Sequence, residues 1–410
     1  MRILYVVHQL LPPKHVAGTE IYTLNLARAM RARGHDVEFF FTESYPDREQ
    51  YELSRGTFRD IPYHEVVFKH GFDSFESTYR NPKMEELFEQ VLDATKPDLV
   101  HCQHLALHSI GYIDRVAARG LPLVYTLHEY MLMCPRDGQL LRPGLELCPG
   151  PEPEACARCV EHLPAPVADA TYADAIRTRE AEIKARLGKV DLFLSPSAFL
   201  RQRFIDAGWI TADRVLHSDN GFVVETFDGV ERTTDDRLRI GYIGTIADYK
   251  GVDILIEAFR GIDPKRAECQ IWGDLDIFPE YGKSLRELTK PDGLTLMGRF
   301  ENSDVGKVLA SLDVLVIPSL WYENSPLTIH EAYLAGLPVI ATDHGGMAEL
   351  VDDGVSGLHF RRGDADDLRA KISQFLDDPA LLDRLRRGFP AVKTIAEDAE
   401  VMESRYSSLR

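Results

Sequence analysis

Leu238-Arg239-Ile240-Gly241-Tyr242-Ile243-Gly244 repeats the way the chain begins, Met1-Arg2-Ile3-Leu4-Tyr5-Val6-Val7. Each is a short apolar run headed by Arg-Ile, and each leads through a loop into a helix-forming stretch. After the first run, Leu24, Leu26, Ala27 and Met30 share one face of a helix predicted over 19–33, stopped by Gly34. After the second, a helix is predicted over 252–259. Further short β-rich runs fall at 37–42, 99–101, 123–126 and 192–195, then at 270–272, 294–297, 314–317 and 339–341. Strands alternating with helices predict βαβ units and parallel sheets. The fold class expected is α/β, with two Rossmann-like doubly wound halves over 1–221 and 238–391. The polar stretch 222–237, with Glu231-Arg-Thr-Thr-Asp-Asp236 at its heart, reads as an exposed linker. A cleft between two such halves is a favoured ligand site, because carboxyl-end loops of both sheets can face it.

Composition narrows the function. The 410 residues exceed one ordinary domain, and 44% hydrophobic with 27% charged residues is a globular balance. The formal net charge of −18 repels nucleic acid and anionic lipid, so no nucleic-acid partner is expected. No apolar run approaches the ~20 residues that span a bilayer. The opening apolar run is too short for a signal peptide and meets Pro12-Pro13 at once, so a cytoplasmic setting is expected.

The densest chemistry lies in Pro318-Ser-Leu-Trp-Tyr-Glu323-Asn-Ser-Pro-Leu-Thr-Ile-His-Glu331-Ala-Tyr-Leu-Ala-Gly-Leu-Pro338. Ser325 suits an N-cap, Pro326 the first helical position and Gly336 the C-terminal stop, and Pro338 forbids continuation. Glu323 then lies in the loop before a helix and Glu331 on its second turn. A fully helical span would part the two carboxylates by ~12 Å, more than the ~5–9.5 Å of a glycosidase acid/base pair. A helix start with free amides at Leu327 and Thr328 is instead a place for phosphate. Downstream of Gly244, Lys250-Gly251 offers a compact cation beside a close-approach backbone. The chain has neither GxGxxG nor GxxxxGK[ST] at this point, which disfavours a nicotinamide site or a P-loop.

These residues carry a resemblance. From Arg239 to Asp364 the chain is similar to retaining glycosyltransferases of family four, through Gly-Tyr-Ile-Gly…Lys-Gly-Val-Asp, Trp-Tyr-Glu-Asn-Ser-Pro…His-Glu-Ala and Ala-Gly-Leu-Pro-Val-Ile-Ala-Thr-Asp-His-Gly-Gly. Ala17-Gly18-Thr-Glu20, Arg33-Gly-His-Asp-Val37 and Thr126-Leu-His128-Glu-Tyr130 extend the match into the first half. The resemblance implies the two-domain GT-B fold, with a final helix over 392–410 crossing back to the first half. It also implies transfer of a sugar, with retention, from a nucleotide diphosphate sugar. The acceptor would be a glycan, a lipid-linked glycan or a small molecule, and a lipid-linked one would bring peripheral contact with the inner face of the membrane. By the same resemblance Glu331 binds the ribose hydroxyls, Glu323 lies at the donor sugar, and Lys250 and Gly18 approach the diphosphate. Backbone around Arg299 and Phe300 holds the base, Ser325, Leu327 and Thr328 line the donor site, and His128 lies near the transferred sugar. Two positions depart from the pattern: Thr245 stands where an arginine is common, and Ala17-Gly18 where Gly-Gly is common. Arg299 is the candidate replacement cation. Related alternatives are a GT-B epimerase or phosphorylase, or a nucleotide-sugar-binding protein without transferase activity.

No catalytic metal is expected, since a diphosphate leaving group needs charge stabilisation that Lys250 and a helix start supply. Asp274-Leu-Asp276 follows a predicted strand and reads as a structural or base-side loop. His101, His104 and His108 read as packing or as a loop lining the acceptor side, without metal spacing. The irregular stretch 134–166 reads as an insertion. Its Cys134, Cys148, Cys156 and Cys159 fit either a structural zinc site or reduced or redox-paired thiols.

Overall fold

The computed structural model describes residues 1–10, 17–69, 71–136, 138–232, 236–289 and 292–409. The chain forms two compact units: Met1–Gly221 together with Ile395–Arg410, and Phe222–Thr394.

Among the described residues the first unit has ten strands: β1 Arg2–Val6, β2 Asp36–Glu43, β3 Leu53–Phe58, β4 Ile61–Val67, β5 Leu99–Cys102, β6 Leu123–Thr126, β7 Leu141–Arg142, β8 Glu146–Leu147, β9 Leu192–Ser195 and β10 Val215–His217. Eight of them make one sheet in the order β10-β9-β6-β5-β1-β2-β4-β3. Every pairing in it is parallel except β3 with β4. The central strands β5 and β6 are buried at every position, as a sheet covered on both faces requires. Strand β7 pairs with β8 alone, inside the stretch 134–166. The helix Gly18–Ala32 packs Leu24, Leu26, Ala27 and Met30 into a core with Ile3, Tyr5 and Val7 of the first strand region. Ala399, Met402 and Tyr406 of the C-terminal helix Ile395–Ser408 complete that core.

Among the described residues the second unit has six strands: β11 Leu238–Ile243, β12 Ala267–Trp272, β13 Leu294–Gly298, β14 Val314–Ile317, β15 Val339–Thr342 and β16 Gly357–Phe360. They form a fully parallel sheet in the order β13-β12-β11-β14-β15-β16. Strand β14 shows why an unbroken apolar run makes such a strand. Val314 and Val316 enter one core cluster, and Leu315 and Ile317 enter another. Alternate side chains point to opposite faces, so a sheet covered on both sides needs apolar residues at every position.

Residues 222–232, read from sequence as part of an exposed linker, are counted with the second unit. Arg232 donates to Leu312 O at 2.6 Å and to Ala335 O at 3.2 Å, and pairs with Asp313 at 3.0 Å. Backbone carbonyls at two helix ends thus hold a segment whose polarity alone suggests solvent. Residues 233–235 of that stretch lie outside the described residues.

Candidate functional site

In the second unit the loops past the carboxyl ends of β11 and β14 meet. Lys250 ends a short turn, Asp248–Lys250, after β11. Gly251 follows with φ of +67°, and a Cβ there would stand 2.1 Å from Pro318 O, the first residue past β14. Only glycine satisfies both the left-handed backbone and that approach. Leu320 N donates to Tyr249 O at 2.8 Å, tying the two loops together.

Lys250 Nζ lies 2.6 Å from Glu323 Oε1, and Ser319 Oγ donates to the same oxygen at 2.6 Å. The structure therefore joins two residues that sequence reading assigned to separate tasks. Glu323 is 7% exposed, so its charge depends on these partners. Lys250 Nζ also lies 5.1 Å from the Trp321 ring centroid and 5.7 Å from that of Tyr249, a cation over two π faces. His344 Nε2 donates to Trp321 O at 3.0 Å, and Gly346 N donates to Glu323 O at 2.7 Å. Burial pulls the His344 imidazole below its usual range, so it acts here as a neutral donor.

The following helix is Leu327–Leu334, with Pro326 rather than Ser325 at its N-cap and no side-chain cap. Pro326 is extended at ψ 114°, which moves the start one residue past the position expected from sequence. Ser325 is thus a loop residue. Leu327 and Thr328 stay in the first turn, where amides have no intrahelical acceptor. Glu331 lies on this helix, and among the described residues its carboxyl has no hydrogen-bond partner. Burial pushes that carboxyl up to about 7.

Arg299 and Phe300 follow β13. Phe300 packs edge-on against Trp272 with centroids 5.8 Å apart. Arg299 is half-exposed and lies 3.8 Å from Asp274, while Asp276 pairs with Arg286 at 2.9 Å. Sequence reasoning missed Ser319, His344 and Arg362. Arg362, beyond β16, donates from Nε to Leu320 O at 2.7 Å and so brings a second cation to the Glu323 loop. It follows a strand, Gly357–Phe360, that the sequence reading did not include, so no local signal marked it.

In the first unit, His128 lies two residues past β6. Its Nε2 is 2.7 Å from Gln103 Oε1, and its ring meets Tyr22 edge-on at 5.6 Å. Burial pulls the His128 pKa down to about 3, which leaves a neutral imidazole. Beside it His8 Nε2 pairs with Glu20 at 3.1 Å, His104 Nε2 pairs with Glu129 at 3.4 Å, and the His8 and His104 rings lie 4.3 Å apart. His104 Nδ1 accepts from Ala106 N at 3.0 Å, so its Nε2 carries the proton given to Glu129. Burial pushes Glu129 up to about 8. Gly18 opens the helix Gly18–Ala32, and residues 11–16 before it lie outside the described residues. Gln103, Glu20 and Glu129 were given no role from sequence, because their partners His128, His8 and His104 lie in other loops. His101 and His108 are buried packing residues, and His108 Nε2 donates to Val7 O at 2.8 Å.

All six cysteines are free thiols. Cys134 Sγ turns to Arg136 O at 3.2 Å and Cys148 Sγ to Gly150 O at 3.3 Å, while Cys156 Sγ accepts from Glu152 N at 3.4 Å. Among the described residues no group of three or more His, Cys, Asp or Glu side chains is placed to hold a metal ion. Of the two readings the sequence left open for these cysteines, a structural zinc site or thiols, the geometry among the described residues supports free thiols. Buried Arg179 instead ties residues 131–132 to the helix Tyr172–Leu187 by donating to Met131 O and, at 3.1 Å, to Leu132 O. No helix among the described residues is long and apolar enough to cross a membrane.

Known proteins share this architecture. Solved structures of similar fold include Anabaena HepE in complex with UDP and glucose, with TM-score 0.67, 19% identity and 99% of each chain covered. Another is a sucrose-phosphate synthase from Thermosynechococcus elongatus, with TM-score 0.73, 19% identity, and 100% of this chain and 98% of that one covered. Both likenesses establish the GT-B fold. Among sequence relatives, a D-inositol 3-phosphate glycosyltransferase of Streptomyces avermitilis is 26% identical over 90% of this chain and 78% of its own length. An uncharacterized 42.6 kDa protein in the cps region of Klebsiella pneumoniae is 22% identical over 84% and 86%. The description "Glycosyl transferases group 1" matches residues 237–378, and "Glycosyltransferase Family 4" matches residues 16–225. With its two sheets matched in turn, the chain belongs to the family 4 glycosyltransferases and is an enzyme of sugar transfer.

Proposed function

We propose that the protein transfers a sugar, with retention, from a nucleoside diphosphate sugar to a glycan, lipid-linked or small-molecule acceptor, without a catalytic metal. The observation that carries the reading is the Lys250–Glu323 contact of 2.6 Å, followed by a helix whose Glu331 carboxyl is desolvated and has no hydrogen-bond partner among the described residues. A cation beside a helix start suits a departing diphosphate. A desolvated carboxyl suits the two hydroxyls of a ribose, which would supply the donors it lacks. Glu323, held by Lys250 and Ser319, suits a sugar on which positive character develops. The HepE complexes with UDP and with UDP-glucose support a uridine donor as the first to test.

His128 and Gly18, in the first unit, are assigned to the sugar and the diphosphate, and Arg299 and Phe300 to the base. The neutral state of His128 fits a hydrogen-bonding role toward a sugar hydroxyl and excludes standing imidazolium charge. Chemistry of this kind asks mainly for positioning and for charge stabilisation on the leaving group.

A thermal-shift panel of UDP-, GDP-, ADP- and TDP-glucose tests the reading. A specific donor at 100 times its Kd should stabilise the second unit by about 2.7 kcal/mol. Product analysis of the selected donor should then show the anomeric configuration retained, in a short assay that chelator leaves unchanged. Inversion, or a strict need for added Mn²⁺, would refute it.

A further inference from the structure

Two lines of buried contacts run from the C-terminal helix Ile395–Ser408 to His128. The first passes through polar side chains. Tyr406 Oη lies 2.6 Å from His101 Nδ1, and His101 Nε2 lies 2.7 Å from Thr126 Oγ1. The Gln103 amide nitrogen sits 3.3 and 3.4 Å from the two ring nitrogens of His101. Its carbonyl, Oε1, is the atom 2.7 Å from His128 Nε2. His101, Gln103 and Tyr406 are each 0% exposed, so the route is sealed from bulk water. The second line runs through Tyr22, whose hydroxyl donates to Asp398 at 2.8 Å while its ring meets that of His128.

A sealed primary amide must direct both of its ends, one accepting and one donating. A neutral imidazole has one N–H and one acceptor nitrogen, and the partner of either settles the other. We propose that Gln103 is a positioning residue for the transfer reaction. By accepting from His128 Nε2–H it holds the imidazole in one orientation and one tautomer, with Nδ1 as the ring's acceptor. His101 and Tyr406 anchor that hold on the C-terminal helix. The C-terminal helix thereby sets the geometry of a residue in the middle of the segment Met1–Gly221. This inference rests on the assignment of His128 to the transferred sugar.

The test separates the hold from the assignment. In protein with ¹⁵N-labelled histidine, His128 (identified by loss of its signals in His128→Ala) should show its proton on Nε2. That proton should be visible by NMR because the Gln103 bond shields it from solvent exchange. Gln103→Met should lose the protected signal, and Gln103→Glu, which keeps an acceptor, should retain it. Turnover of whichever nucleotide sugar the panel selects should fall at least tenfold in Gln103→Met, recover in part in Gln103→Glu, and fall less in Tyr406→Phe. Binding of free nucleoside diphosphate should not change in any of them. A wild-type proton on Nδ1, or a protected Nε2–H that survives in Gln103→Met, overturns the proposal, and the wild-type measurement decides even if a variant fails to fold. If the signal is lost while both Gln103→Met and His128→Ala turn over normally, the assignment of His128 fails instead.

Discussion

Lys250 and Glu323 hold one another at 2.6 Å, so in the proposed donor site a diphosphate would compete with a carboxylate for the same ammonium. Removing the lysine has two consequences. A charge-assisted phosphate contact goes, and a carboxylate only 7% exposed loses its counter-charge. Lys250→Ala should therefore weaken donor binding by about 1.5–3 kcal/mol and lower thermal stability as well, measured by calorimetry on one protein sample. Glu323→Gln should do the opposite to binding. It frees Lys250, so free nucleoside diphosphate should bind at least as tightly as to wild type while kcat for transfer falls. A weakened nucleotide in that variant would contradict the competition.

Glu331 carries a pH signature. Its carboxyl is raised from 4.5 to about 7 by burial, so the fold favours the protonated form. Between those two values the folded state binds more protons than the unfolded one, and stability from this group declines as pH rises through that window. Above about 7 the carboxyl ionises in the folded state, the form the proposed ribose contact needs. Binding of UDP-glucose, whose diphosphate diester does not titrate near neutrality, should strengthen as pH climbs through that value. Glu331→Gln should bind weakly at every pH and show no such step. It should also gain in melting temperature over wild type as pH rises. A parallel pH profile in both proteins would remove Glu331 from the binding site.

At the scale of elements, the site is a matter of two backbones in contact. A Cβ on Gly346 would fall 1.5 Å from Asn324 O, while Gly346 N donates to Glu323 O. The helix Gly345–Leu350 is therefore packed directly against the loop that carries Glu323. Gly346→Ala should push that loop away, costing both melting temperature and nucleotide affinity. Gly188→Ala, where the nearest atom would be 3.6 Å away, should change neither.

These elements show what local sequence can and cannot reveal. Val314–Ile317 was legible as a buried strand because four apolar residues in a row suit a sheet covered on both faces. Glu323 in a loop and Glu331 on the next helix followed from Ser, Pro and Gly punctuation, although the cap itself moved to Pro326. Gln103 and Glu129 were not legible, since their meaning lies in partners supplied by neighbouring strands and loops. Arg232 was misread for the same reason: a cation in a polar stretch looks solvated until distant helix ends offer it carbonyls. For the cysteines the sequence left a zinc site and free thiols open, and among the described residues the turns of the stretch 134–166 gather no group of ligands for a metal ion.

At the scale of the whole molecule, the two units differ in how the chain pays for them. The second is continuous, Phe222–Thr394, with its own sheet and its own cores. The first is discontinuous, and its core needs Ala399, Met402 and Tyr406 from beyond the second. Tyr406 is 0% exposed, and losing one buried large aromatic side chain costs about 3–5 kcal/mol. Deleting the whole helix also uncovers Tyr5 and strips Tyr22 of its Asp398 acceptor. That loss rivals the roughly 5–15 kcal/mol by which a domain is stable at all. The fragment 222–394 should consequently fold cooperatively by itself and bind the nucleotide that the intact protein binds. The fragment 1–221 should not fold alone. The crossing points are side by side, since Phe222 bridges to Thr394 and its N–H donates to Lys393 O at 2.9 Å. A short Gly/Ser linker joining Gly221 to Ile395 should therefore restore a folded first unit, read as a single sharp thermal transition. A cooperatively folded 1–221, or a linked version that stays molten, would show that the C-terminal helix is not the missing part of that core.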